Sequence, residues 1–76
     1  MDIAKAKDYY GLGVLKGFDI VRDGDKWLLA VEYKTGSDTI HRARGGPKLY
    51  ATIDGVVIDI QHIIGGANVD ALRVGL

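Results

Sequence analysis

The stretch FDIVRDGDKWLLAVEYK, residues 18–34, decides the fold. Before Gly24-Asp25, Phe18, Ile20 and Arg22 alternate with Asp19, Val21 and Asp23. After it, Trp27, Leu29, Val31 and Tyr33 alternate with Leu28, Ala30, Glu32 and Lys34. A period of two on both sides of a Gly-Asp pair predicts a β-hairpin. A two-residue turn pairs Asp23 with Lys26 and sets Arg22 beside Trp27, within reach of a cation–π contact. The face carrying Phe18, Ile20, Trp27, Leu29, Val31 and Tyr33 is the more apolar and belongs on the core.

Downstream, Thr35-Gly36-Ser37 reads as a three-residue loop and Asp38 to Arg44 as a third strand, with Lys34 opposite Asp38. In that register Thr39, His41 and Ala43 face the core side, and Ile40, Arg42 and Arg44 the open side. A one-residue slip reverses the faces and buries two arginines, which is costly. Gly45-Gly46-Pro47 ends the strand.

Residues 52–64 admit two readings. As a helix, Ile53, Val56, Val57, Ile60, Ile63 and Ile64 share an arc of about 120°, with Asp54, Asp59, Gln61 and His62 outside it and only Ile58 breaking the pattern. Thr52 is then the N-cap and Gly65-Gly66 the stop. As a strand, Asp54-Gly55 makes a tight turn and the density of Val and Ile suits β structure. The helical arc is the better fit of the two.

Upstream, residues 2–10 predict a short helix: Asp2 caps it, Ile3, Ala6 and Tyr10 recur at helical spacing, and Gly11 and Gly13 offer an exit. Such a helix must dock to persist. At the other end, Leu72, Val74 and Leu76 alternate with Ala71, Arg73 and Gly75, which suits a last edge strand. The expected fold is α+β, a single small domain over residues 1–76. It has a three-stranded antiparallel sheet with helices packed on one face, in the order α-β-β-β-α, with a C-terminal edge strand as an option.

Composition sets the functional bounds. A chain of 76 residues with 47% hydrophobic residues holds one core, and a domain of this size buries only roughly 60% of its unfolded surface. Small cores without staples are often supplemented by self-association. Without cysteine there is no disulfide framework, thiolate metal site or Cys nucleophile. The first residues hold no apolar run of the signal-peptide kind, and no stretch approaches the ~20 apolar residues of a membrane span. The expectation is a soluble protein of a reducing cytoplasm with no membrane partner.

Catalysis finds no support in the residues. Ser37, the only serine, sits in a Gly-flanked turn without a base and orienting group. His41 and His62 lack metal-ligand spacing. The carboxylates are scattered, and the glycine pairs 45/46 and 65/66 lack nucleotide-loop spacing. No catalytic residue, metal, cofactor or small-molecule substrate is expected.

The segment from Lys34 to Lys48 stands apart. It holds Lys34, His41, Arg42, Arg44 and Lys48 against one acid, Asp38, in a chain whose ten basic and ten acidic residues cancel overall. A locally basic open sheet face can enter a major groove, and arginine suits guanine edges or phosphates. Lys34, Arg42, Arg44 and Lys48 are therefore the candidate nucleic-acid contacts, with double-stranded DNA as the partner. The competing use of the face is assembly: Val21, Leu28, Ala30 and Ile40 form an apolar strip suited to a homodimer or to another protein. Tyr9 and Tyr10 could add aromatic anchors.

With an aromatic-rich middle strand 27–33, a basic third strand with Arg42 and Arg44, and Leu49-Tyr50-Ala51-Thr52 leading into a helix, residues 18–64 resemble the small N-terminal domains by which phage integrases hold arm-type DNA sites. The resemblance implies a three-stranded sheet lying in the major groove with the helix behind it, and a non-enzymatic accessory protein of a mobile element. The leading helix also gives an order similar to that of double-stranded-RNA-binding domains.

Overall fold

A computed structural model gives the structure of the chain for residues 1–65 and, as backbone, for Val74–Gly75. The elements run α1 (Ile3–Gly11), β1 (Leu15–Asp23), β2 (Lys26–Tyr33), β3 (Gly36–Thr39), α2 (Ile53–Ile63) and β4 (Val74–Gly75). The fold is α+β in the expected order. Three antiparallel strands stand in the order β3-β2-β1, and β4 adds to β1 in parallel. The rest of the expected C-terminal strand, residues 71–73 and 76, lies outside the described residues.

The hairpin forms as its alternation predicts, with Asp23 opposite Lys26, Arg22 opposite Trp27 and Val21 opposite Leu28. Gly24 takes φ +63 while Asp25 stays at negative φ, the sign pattern of a type II′ turn, for which only glycine is comfortable at the first position. The Arg22 guanidinium lies 5.2 Å from the Trp27 ring centroid. Before Phe18, the register shifts between Leu15 and Gly17, so a bulge carries Leu15 to the core side.

Both helices are capped as their sequences suggest. Asp2 accepts the Lys5 amide at 2.8 Å and Thr52 accepts the Gly55 amide at 3.2 Å. The stretch 52–64 therefore forms a helix, Ile53–Ile63, with Thr52 and Ile64 as its caps. Val56, Ile60, Ile63 and Ile64 are buried against Phe18, Ile20, Leu29 and Val31, with Ala6 of α1 completing the cluster. Ile53, on the first turn, and Ile58, off the arc, remain exposed.

The third strand corrects the expected register. β2 and β3 meet through a two-residue turn, Lys34-Thr35, so Tyr33 pairs with Gly36, Val31 with Asp38 and Ala30 with Thr39. Compared with a three-residue loop, this displaces the pairing by three residues, an odd number, and exchanges the faces. Ile40, expected on the open side, is fully buried, and its amide donates to the Leu29 carbonyl at 2.7 Å. Burying that side chain stabilises by about 1.5–3 kcal/mol. The arginines escape burial because the strand stops before them. Continued in register, Arg42 would face Trp27; Tyr50 stands there instead, exchanging both backbone hydrogen bonds with Trp27 at 2.8 and 2.9 Å. The intervening residues 42–49 loop out of the sheet edge.

Candidate binding surfaces

The excursion is a built element. His41 bridges Pro47, the Arg42 amide donates to the Gly46 carbonyl at 3.1 Å, and the Lys48 amide donates to the Ile40 carbonyl at 3.0 Å. Its base is clamped from α2. The Tyr50 hydroxyl donates to Asp59 Oδ2 at 2.6 Å, and Lys48 Nζ pairs with the same oxygen at 2.6 Å. His62 Nδ1 stands 3.6 Å from the other carboxylate oxygen. Asp59 is 7% exposed, and such a buried carboxylate is tolerable only because it is paired and hydrogen-bonded. Burial pushes the Tyr50 phenol well above its ordinary range, and the hydrogen bond to Asp59 and its charge push it further.

The four expected nucleic-acid contacts occupy three settings. Arg42 and Arg44 are exposed on the excursion, and among the described residues neither pairs with a carboxylate. The Arg42 guanidinium folds over Gly45, at 3.0 Å from the place a Cβ there would take. Lys48 is held by Asp59. Lys34 is exposed in the β2–β3 turn, separated from the arginines by the whole of β3, more than about 10 Å at ~3.3 Å per residue.

Of the expected apolar strip, Val21 is 46% exposed, and Leu28 and Ala30 are half-buried beside it on the open face. Ile40 has gone to the core. With the arginines off the sheet, this face is not basic. Asp19 and Glu32 are diagonal neighbours at one end, through the pairs Asp19–Ala30 and Gly17–Glu32, and Lys26 lies at the other end opposite Asp23. A hydrogen bond with Asp19, reinforced by repulsion between the two carboxylates and a little desolvation, raises the Glu32 carboxyl above its ordinary range.

The sequence reading missed Tyr50 and Asp59. Their only sequence signal is weak: an acid next to an isoleucine on the apolar arc, with no spacing that ties it to Lys48. It also missed a cleft of about 770 Å³ between α1 and the β2–β3 turn, bordered by Lys5, Tyr9, Lys16, Tyr33 and Lys34. Among the described residues, no group of three His, Asp or Glu could hold a metal ion, and no helix is long and apolar enough to cross a membrane. Comparison with family models, with curated proteins and with solved structures finds no match for this chain.

Proposed function

We propose that this chain is a non-enzymatic nucleic-acid-binding module, an accessory protein acting in the cytoplasm, whose contact element is the 42–49 excursion. The observation that carries this reading is the pair of exposed guanidinium groups, Arg42 and Arg44, which form no ion pair among the described residues, on a loop whose base is fixed by the Lys48–Asp59–Tyr50 cluster. A clamped loop loses less conformational freedom on binding than a floppy one. Guanidinium groups suit phosphate oxygens in a bidentate fork. The open sheet face, which the integrase-like resemblance would dock in the groove, is a poor surface for phosphates because it presents Asp19 and Glu32.

The test is fluorescence anisotropy with a labelled mixed-sequence duplex between 50 and 200 mM salt. Affinity should fall steeply with salt. Arg42→Ala with Arg44→Ala should weaken binding and lower the salt slope by about 1.8, at ~0.9 for each phosphate no longer neutralised. No salt-sensitive binding, or binding unchanged by the double substitution, rejects the reading.

A second reading is favoured by the apolar middle of the open face. Val21, Leu28 and Ala30 lie between the carboxylates Asp19 and Glu32 at one end and the cross-strand pair Asp23–Lys26 at the other. A two-fold axis perpendicular to the strands would set the apolar middles of two copies against each other. Sedimentation equilibrium should then show a dimer that Val21→Lys dissociates. A monomer at several hundred micromolar rejects it.

A further inference from the structure

The cleft between α1 and the β2–β3 turn carries a signature distinct from that of the excursion. Lys5 rises from the α1 wall, Lys16 from the bulge that opens β1, and Lys34 from the opposite turn. Among the described residues, no ion pair joins any of the three to a carboxylate. Among the described residues Asp38 is the one acid in the lining, and the Met1 ammonium engages it at 3.2 Å. Three lysines therefore border a hollow in which the described residues leave no free anion.

The walls between those cations are apolar. Leu12 and Val14, in the α1–β1 connection, are 74% and 43% exposed, and the Tyr9 and Tyr33 side chains are half-buried. A small domain does not ordinarily leave a leucine this bare beside a valine and two aromatic rings in one concavity, and such a surface marks a binding site. The volume lies within the roughly 300–1,000 Å³ of small-molecule sites. Concavity favours a ligand that enters over a flat surface that meets only the rim.

We infer that this cleft binds a small amphipathic organic anion: an aromatic or aliphatic body against Leu12, Val14, Tyr9 and Tyr33, with a carboxylate, sulfonate or phosphate held by Lys5, Lys16 and Lys34. Neither arginine of the excursion lines the cleft, so the two sites stand or fall separately.

The probe is 1-anilinonaphthalene-8-sulfonate, followed by its fluorescence and by amide shifts of the full chain. Saturable one-site binding is expected, with shifts confined to residues 5–16 and 33–38. Lys16→Glu with Lys34→Glu should weaken it tenfold or more while far-UV circular dichroism stays native. A naphthalene carrying a quaternary ammonium in place of the sulfonate should not compete. Binding undiminished by the double reversal, equal competition by the cation, or shifts centred elsewhere in the wild-type chain would overturn the inference. The mapping on the wild-type protein decides the question even if the charge-reversed variant misfolds.

Discussion

Tyr50 and Asp59 are joined by a 2.6 Å hydrogen bond that ties the return of the excursion to the middle of α2. Removing the hydroxyl in Tyr50→Phe leaves the buried carboxylate with Lys48 and a distant His62, and should cost about 1–3 kcal/mol. Asp59→Ala frees Lys48, whose side chain is 38% exposed, to turn to solvent, but it leaves the buried Tyr50 hydroxyl without its acceptor and should likewise cost about 1–3 kcal/mol. The phenol gives a second readout. The unfolded chain ionises it near 10.0, whereas the folded state keeps its proton, so stability falls as pH rises above that value. Chemical denaturation between pH 8 and 11 should show this alkaline loss diminished in Tyr50→Phe. An equal loss in both proteins would remove the assignment.

The register of β3 makes a contrast between two aliphatic residues that local alternation assigns to the same face. Ile40→Ala should destabilise by about 2–5 kcal/mol, because it empties a fully buried site. Val21→Ala, at a side chain nearly half exposed, should change stability by less than about 1 kcal/mol. Urea midpoints measure both. Equal effects would return Ile40 to the surface.

Gly45 is a sensitive point of the excursion. It sits at φ +105, and a Cβ there would come within 3.0 Å of the Arg42 guanidinium. Gly45→Ala should displace Arg42 and weaken duplex binding with both arginines still present. The cost to stability should stay in the range of about 1–3 kcal/mol typical of local backbone strain. Anisotropy and urea unfolding on the same sample separate the two effects, and unchanged affinity would deny the loop's conformation a part in recognition.

The acidic end of the open face predicts a pH dependence. Glu32 has its folded-state pKa raised above 4.5, chiefly by the hydrogen bond with Asp19. The folded state then holds this proton more tightly than the unfolded chain. Stability from this group therefore falls as pH rises from 4.5 through the raised value, and is unaffected below. Comparing thermal midpoints of wild type and Glu32→Gln from pH 3.5 to 7.5 isolates the effect. The variant should gain relative stability towards neutral pH. A constant difference would mean that the two carboxylates do not interact.

Periodicity made the hairpin legible, because each strand declares its faces within eight or nine residues and Gly24 fixes the turn. Residues 52–64 were legible as a helix for a related reason: a 3.6-residue arc closed by Thr52 is a local property. The third strand was not. Its register depends on whether Ile40 or the two arginines take the core side, and the chain satisfies both by ending the strand and looping out, a solution no short window contains. Asp59 falls outside the apolar arc, and its burial was not legible because its partners, Lys48 and Tyr50, return from that loop. The cleft was hidden for a similar reason. Lys5, Lys16 and Lys34 belong to three separate elements and meet only once α1 has docked.

The excursion has a consequence for how this chain keeps to itself. A sheet rich in Val and Ile invites a neighbouring chain to add a strand wherever a long, straight row of amides and carbonyls is left bare. Here the β3 side is a strand of four residues, cut short by the loop, and β4 on the other side is two residues long. The β3 edge therefore offers too little regular backbone to template a foreign strand, so on that side this small domain gains protection from runaway fibre growth from the same kink that displays its arginines.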